Sequence, residues 1–426
     1  MITFWMTLPF AVQLAALAAL GIVLGAWANH VIYTLCYDAR PISPWVTPDE
    51  KAPPRKKTDL IPVFGWLGLR REAEIHGKWF WPRPMFIEVA MAIGVPAFWY
   101  FETQTGLLLS ESFRAAPQLG QFEPWATQLF VSHVILLALM VAATFIDLDE
   151  QTIPDTITIP GTLFALGASC FSLDFCLPTS LPTALTPTTF QVPDPFGGPW
   201  LGRTGLWTGL AIWTGWCFAL ADRRLILRRG PAMAVAYFVH GITRNPQSKF
   251  LLAMWILGCI AVRVVFGIGG TAWLGLLSSL VGLAIGGGVV WAIRLVASGA
   301  MRVEAMGFGD VTLMAMIGAF VGWQASVLGF FLAPMTAIVI VLIYWISTGD
   351  NRVPFGPYLC AGTLVTILFW DRLFNGWFLP SFAMLGGFML WLFLAMAGIM
   401  GVMLFFYRIV KERFLYPGDD DEPEDA

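Results

Sequence analysis

The chain has 426 residues, of which 57% are hydrophobic and only 12% charged. Soluble domains carry about 25% charged residues, so this composition excludes an ordinary water-soluble enzyme and describes a polytopic membrane protein. The net charge of −3 says little as a total, because membrane proteins sort charge by side.

Runs of about 17–25 apolar residues are long enough to cross a bilayer as helices. Taken in chain order, eleven candidates lie at 10–34, 85–101, 127–146, 157–173, 205–222, 250–268, 272–297, 311–323, 326–347, 356–371 and 382–407. The expected fold class is therefore all-α, a bundle of about 11 transmembrane helices. Twenty Trp and thirty-four Phe suit lipid-facing surfaces and interfacial belts. The first basic residue is Arg40, so the charged start of a cleavable signal peptide is not read.

Five parts follow one another. Residues 1–101 contain N-terminal helices and a basic, Pro-rich loop at 37–84. Residues 102–173 carry an acidic motif, FIDLDEQTIPD, at 145–155. Residues 174–270 hold a Pro/Thr-rich stretch expected to be an extended external loop, two candidate helices and the basic run RRLILRR at 223–229. Residues 271–407 carry MGFGD at 306–310, and 408–426 form an acidic tail read as solvated and disordered.

Lysine and arginine set the orientation. Arg40, Lys51, Arg55, Lys56, Lys57, Arg70, Arg71, Lys78 and Arg83 crowd the first loop, and Arg223, Arg224, Arg228, Arg229, Arg244 and Lys249 crowd a later one. The alternate connections hold only Arg114, Arg203 and Arg372. The expected topology puts the N-terminus outside and the C-terminus in the cytosol. Asp147 then ends a helix arriving at the cytosolic face, and Asp310 begins one leaving it.

A carboxylate beside a membrane helix needs a reason. Two at one depth suggest aspartyl proteolysis. Like charges a few ångströms apart cannot both ionise cheaply, so such a pair shares one proton. The ionised partner takes a proton from the attacking water, and the protonated one polarises the scissile carbonyl. Gly307 and Gly309 are expected to take positive φ or to let backbone approach the substrate. Singly, each acid has a plainer reading: Asp310 as a helix N-cap, and Asp147, Asp149 and Glu150 as a solvated helix end. A proton-coupled transporter using Asp147 and Asp310 is the alternative from another class, though no internal repeat supports it. A non-catalytic assembly platform gives no reason for both acids.

Other residues carry less. His30, His76, His133 and His240 have no ligand spacing, and Cys36, Cys170, Cys176, Cys217, Cys259 and Cys360 contain no C-x-x-C, so no metal site is read. Cys170 and Cys176 could pair if they face an oxidising compartment, but two isolated thiols near a helix end is the plainer reading. Glu88 and Glu304 flank helices on the cytosolic side, and Glu304 reads as a solvated loop carboxylate.

The motifs together resemble the type IV prepilin peptidases. FIDLDEQTIPDTITIP at 145–160, MGFGDVTLMAMIGAFVGWQ at 306–324, PFGP at 354–357, GAWANHVIY at 25–33 and the block at 59–88 each match a family motif. The resemblance implies a GxGD-type membrane aspartyl protease with Asp147 and Asp310 as the catalytic pair. Pro154 and Asp155 are supporting residues, alongside Gly307 and Gly309. It implies prepilin or type II secretion pseudopilin precursors as partners in a bacterial inner membrane, with membrane lipids and without nucleic acid. Proteolysis implies no cofactor. S-adenosylmethionine enters only if methyl transfer is retained, because many members carry two metal-binding C-x-x-C pairs in the first loop. Here the corresponding places read PWVTPDEK (44–51) and REAEIHGKW (71–79). A second departure is the long stretch between the two acids; its extra helices come as a pair, which preserves sidedness.

Overall fold

The apolar runs form helices in the computed structural model, which describes residues 2–114, 122–181, 184–189, 198–221, 246–301, 306–348 and 354–410. The main helices are α1 (Phe10–Thr34), α2 (Pro82–Gln104), α3 (Phe122–Glu150), α4 (Asp155–Ser169), α5 (Arg203–Ala219), α6 (Pro246–Ile268), α7 (Gly270–Met301), α8 (Phe308–Thr348), α9 (Gly356–Leu368) and α10 (Phe388–Val410). Six of them, α1, α2, α3, α6, α7 and α8, are long and apolar enough to cross a membrane. The protein is a multi-pass, all-α membrane protein.

Several boundaries differ from the sequence expectation for local backbone reasons. The candidates at 311–323 and 326–347 join as α8, interrupted only where Gly322 takes φ 83°, a conformation open to glycine. The candidate at 382–407 is split, because Gly386 (φ 48°) ends a short helix at Leu379–Leu385 before α10 starts. A π-helical stretch at Asp371–Phe378 follows α9. The basic run at 223–229, His240, Glu304 and the acidic tail from 411 onward lie outside the described residues.

The Pro/Thr stretch is not simply extended. Strands β1 (Pro178–Leu181) and β2 (Ala184–Pro187) pair antiparallel, with Pro178 opposite Pro187. The indole of Trp370 donates to the Pro178 carbonyl at 2.7 Å, and the amide of Gln324 donates to the Thr189 carbonyl. This hairpin therefore closes the end of the bundle remote from Asp147 and Asp310. The six cysteines are all free thiols.

Close helix crossings set the register of the other end. A Cβ on Gly282 of α7 would lie 2.0 Å from the Gly318 carbonyl oxygen of α8, and one on Gly318 would lie 2.1 Å from that of Gly282. Only hydrogen fits there, as is common where membrane helices approach closely. Tryptophans tie the added helices α5 and α6 to each other: Trp213 Nε1 donates to the Trp255 carbonyl at 3.0 Å, and Trp255 Nε1 to Thr214 Oγ1 at 3.0 Å. Trp273 of α7 meets the pair, its ring 5.0 Å from that of Phe266 on α6.

The basic loop between α1 and α2 is a folded unit. Arg55 donates to both carboxylate oxygens of Glu72 at 2.9 Å, and to the carbonyls of Pro41, Ser43 and Val46 at 2.6–2.9 Å. Glu88 is buried rather than merely flanking its helix. It accepts from Asn29 Nδ2 at 3.0 Å, Trp66 Nε1 at 2.8 Å and the Val63 amide. Buried carboxylates persist when so satisfied, and this one ties the loop to α1 and α2.

Candidate functional site

The last turn of α3 places three acids in three directions. Asp149 pairs with Arg83 at 2.6 Å, and Arg83 also covers the Phe145 ring at 4.8 Å. Glu150 accepts from the amides of Tyr37 and Asp38 at 2.8 and 3.0 Å. Both are thus occupied in holding the helix end to the 37–84 segment. Asp147 turns inward instead and is 3% exposed.

The chain then reverses. Gln151 adopts φ 55°, uncommon for a residue with a side chain, and its amide still donates to the Asp147 carbonyl at 2.8 Å. Thr152, Ile153 and Pro154 run outside any helix, and α4 starts at Asp155. Pro154 is the extended residue before that helix, and Asp155 lies in its first turn, where the backbone amides favour negative charge. Both are half-buried.

Asp310 lies in the first turn of α8 and is 7% exposed. The helix starts at Phe308, so Asp310 is inside it and is not its N-cap. Asp147 and Asp310 interact electrostatically with each other, and both with the thiol of Cys360 on α9. Gly309, beside Asp310, and Gly356, bonded to Asp147, both pack against Ile153, so the two buried carboxylates lie on segments that meet at that residue.

The glycines act differently from the expectation. Neither Gly307 nor Gly309 has positive φ. A Cβ on Gly309 would stand 2.9 Å from Ile153 Cβ, 3.0 Å from its amide nitrogen and 3.1 Å from its carbonyl oxygen. Gly309 therefore lets the start of α8 press against the turn that follows Asp147. Gly307 has room, its nearest neighbour being Asp310 Oδ2 at 3.8 Å.

Three contributors were not assigned from sequence. The Gly356 amide, at the start of α9, donates to Asp147 Oδ2 at 2.9 Å. Ile153 is buried between the two acid-bearing turns. Arg294 on α7 is 7% exposed and donates from Nε to the Met306 carbonyl at 2.7 Å. Its signal was an arginine inside the apolar run 272–297, which calls for a bonded partner. Among the described residues, no group of three or more His, Cys, Asp or Glu side chains gathers as a metal-ligand set.

Comparison with known proteins points the same way. A model of the type IV leader peptidase family matches residues 246–343, which include the MGFGD turn. A prepilin leader peptidase/N-methyltransferase of Stutzerimonas stutzeri is 31% identical over 173 residues, covering 40% of this chain and 57% of that protein. Its namesake in Pseudomonas putida is 25% identical over 171 residues, covering 39% and 57%. That of Legionella pneumophila is 35% identical over 77 residues, covering 17% and 26%. The matched stretches thus span from about a quarter to little more than half of these relatives' length. No solved structure matches. The family match runs through the Asp310 turn and the relatives are of one kind, so the matched stretches of the chain are similar to type IV leader peptidases.

Proposed function

We propose that this protein is a membrane aspartyl endopeptidase that removes the leader of a prepilin or pseudopilin precursor. The observation that carries the reading is the burial of Asp147 and Asp310 on segments that meet at Ile153. In that role the two hold one proton between them and titrate as a unit. The ionised member accepts a proton from water as it attacks the scissile carbonyl. The protonated member polarises that carbonyl and then protonates the departing amine. Gly309, Pro154 and Asp155 support the reading by shaping the paired turns, and Gly307 by leaving space above Asp310.

The α3 end that carries Asp147 lies beside the basic loop 37–84, Glu150 accepting from the amides of Tyr37 and Asp38. The positive-inside rule then puts cleavage at the cytosolic face of an inner membrane, with the N-terminus outside and the C-terminus in the cytosol. This fits a precursor whose short basic leader lies in the cytosol and whose apolar helix lies in the bilayer. The chemistry needs no cofactor. Methyl transfer from S-adenosylmethionine belongs to the relatives' names and is no part of the proposed step.

The test is Asp147→Asn and Asp310→Asn, each in the full chain, with leader removal followed by gel shift. A positioned acid–base group contributes about 10²–10⁴-fold, so each variant should lose at least that much rate. Unimpaired cleavage in either one sinks the assignment. Proton-driven uptake in vesicles, lost in the same variants with no proteolysis found, would favour the transporter reading.

A further inference from the structure

Arg294 makes more contacts than an arginine near a membrane helix end requires. Such a residue ordinarily snorkels, with its head in water and its stem along the helix. Here the side chain is buried, and its Nε bonds to the Met306 carbonyl at 2.7 Å. Its guanidinium carbon lies 5.7 Å from the centre of the Phe308 ring. The same group interacts electrostatically with Asp310. These contacts fall on Met306, Phe308 and Asp310, alternate residues of one turn. Met306 and Gly307 precede the helix, so the backbone there lacks helical bonds to hold it. The Gly282–Gly318 crossing fixes α7 against α8 and delivers Arg294 to that turn.

We infer that Arg294 is a positioning residue: it fixes the Met306–Asp310 turn and through it the approach of Asp310 to Asp147. The kinetic consequence rests on the peptidase reading, but the hold on the turn does not. The bond to a carbonyl needs a directed donor, and the attraction to a carboxylate needs charge. Lysine keeps the charge but not the geometry of the fork.

The experiment uses the full chain purified in detergent, as Arg294→Gln and Arg294→Lys. Hydrogen exchange is followed through 306–312, and precursor cleavage is resolved into kcat and KM. A misplacement of about 1 Å costs about 10²-fold. In Arg294→Gln, kcat should fall by about that factor while KM moves less than about threefold, the sign of an interaction used in the transition state. Exchange should quicken in 306–312 and remain as in the parent through the rest of α7 and α8, and Arg294→Lys should recover part of both losses. Unchanged kcat and unchanged exchange in Arg294→Gln would overturn the inference. So would exchange that quickens throughout α7 and α8, because that marks a general packing role. If the parent chain cleaves no precursor, the peptidase reading fails separately. Exchange in 306–312 then decides alone, faster exchange supporting the hold and unchanged exchange refuting it.

Discussion

The Gly356 amide donates to Asp147 Oδ2 at 2.9 Å, and a Cβ on Gly356 would lie 2.5 Å from that same oxygen. One backbone group thus both bonds the carboxylate and depends on having no side chain. The PFGP segment thereby becomes part of the Asp147 site, although it lies far along the sequence. Its Pro357 sits in the first turn of α9, where the absent N–H costs nothing, and the preceding glycine supplies the free donor.

Gly356→Ala should therefore disable the site while leaving the bundle folded. The added methyl would also meet Ile153 Cδ1 at 3.0 Å, so neither neighbour offers room. A hydrogen bond to a charged group contributes about 1.5–3 kcal/mol, which converts to a loss of roughly tenfold to a hundredfold in kcat/KM. The check is precursor cleavage beside a thermal melt. Parent-like kcat/KM in the alanine variant would show that the contact has no part in activity.

The two glycines of MGFGD should behave unequally. Alanine at 309 would push into the Ile153 backbone, whereas alanine at 307 meets nothing closer than 3.8 Å. Overpacking of a tight contact costs about 1–3 kcal/mol, so Gly309→Ala should lower both stability and cleavage. Gly307→Ala should stay within about threefold of the parent. Cleavage rates and melting temperatures of the two variants decide this, and equal effects would contradict the packing role given to Gly309.

Much of this arrangement was legible in the residues. The all-α, multi-pass class followed from apolar length, because a bilayer makes open backbone costly, whereas the expected eleven spans stand against six helices long and apolar enough to cross among the described residues. Which acid of FIDLDEQTIPD turns inward was less legible. That depends on Asp149 finding Arg83 and Glu150 finding the amides of Tyr37 and Asp38, contacts that local periodicity does not contain. The role of Gly309 was misjudged for a similar reason. Glycine in sequence signals freedom or closeness without saying to what, and the partner is Ile153. Arg294 is a charge in an apolar run that the sequence reading passed over, and its target depends on the register of α7 against α8. The hairpin at 178–187 hid because proline and threonine read as loop, while its anchors, Trp370 and Gln324, come from distant helices.

The first loop should depend on the Arg55–Glu72 pair. A guanidinium there joins 41–46 to the segment around Glu72. Burial holds the His76 imidazole below its ordinary 6.5, against the pull of nearby Glu72. Arg55 is the guanidinium that spans both carboxylate oxygens of Glu72. Removing one partner of a buried pair costs about 3–5 kcal/mol. Glu72→Gln should loosen the loop and quicken trypsin cleavage at Lys51, Lys56 and Lys57, which are already exposed but held in a folded segment, with α1 and α2 still intact. Unaltered digestion kinetics would mean that the loop is held by other contacts.

The same loop should carry an acid-sensitive contact at Asp59. Burial alone would raise this carboxyl, but the hydrogen bond from Arg71, the Lys56 amide at 2.6 Å and the charges of Arg71 and Lys56 outweigh it. The result is a carboxyl held below its ordinary 3.8. A group whose folded value is depressed adds stability that is fully present above the unfolded value and disappears as pH falls through the folded one. Asp59 should therefore hold the loop fully at pH 6 and lose its contribution below about pH 4. Asp59→Asn removes the ionised acceptor at every pH. The parent and variant should differ in amide exchange of 56–71 at pH 6, after correction for intrinsic rates, and should converge towards pH 3. A gap that persists unchanged at pH 3 would mean that ionisation of Asp59 is not what fastens this turn to Arg71.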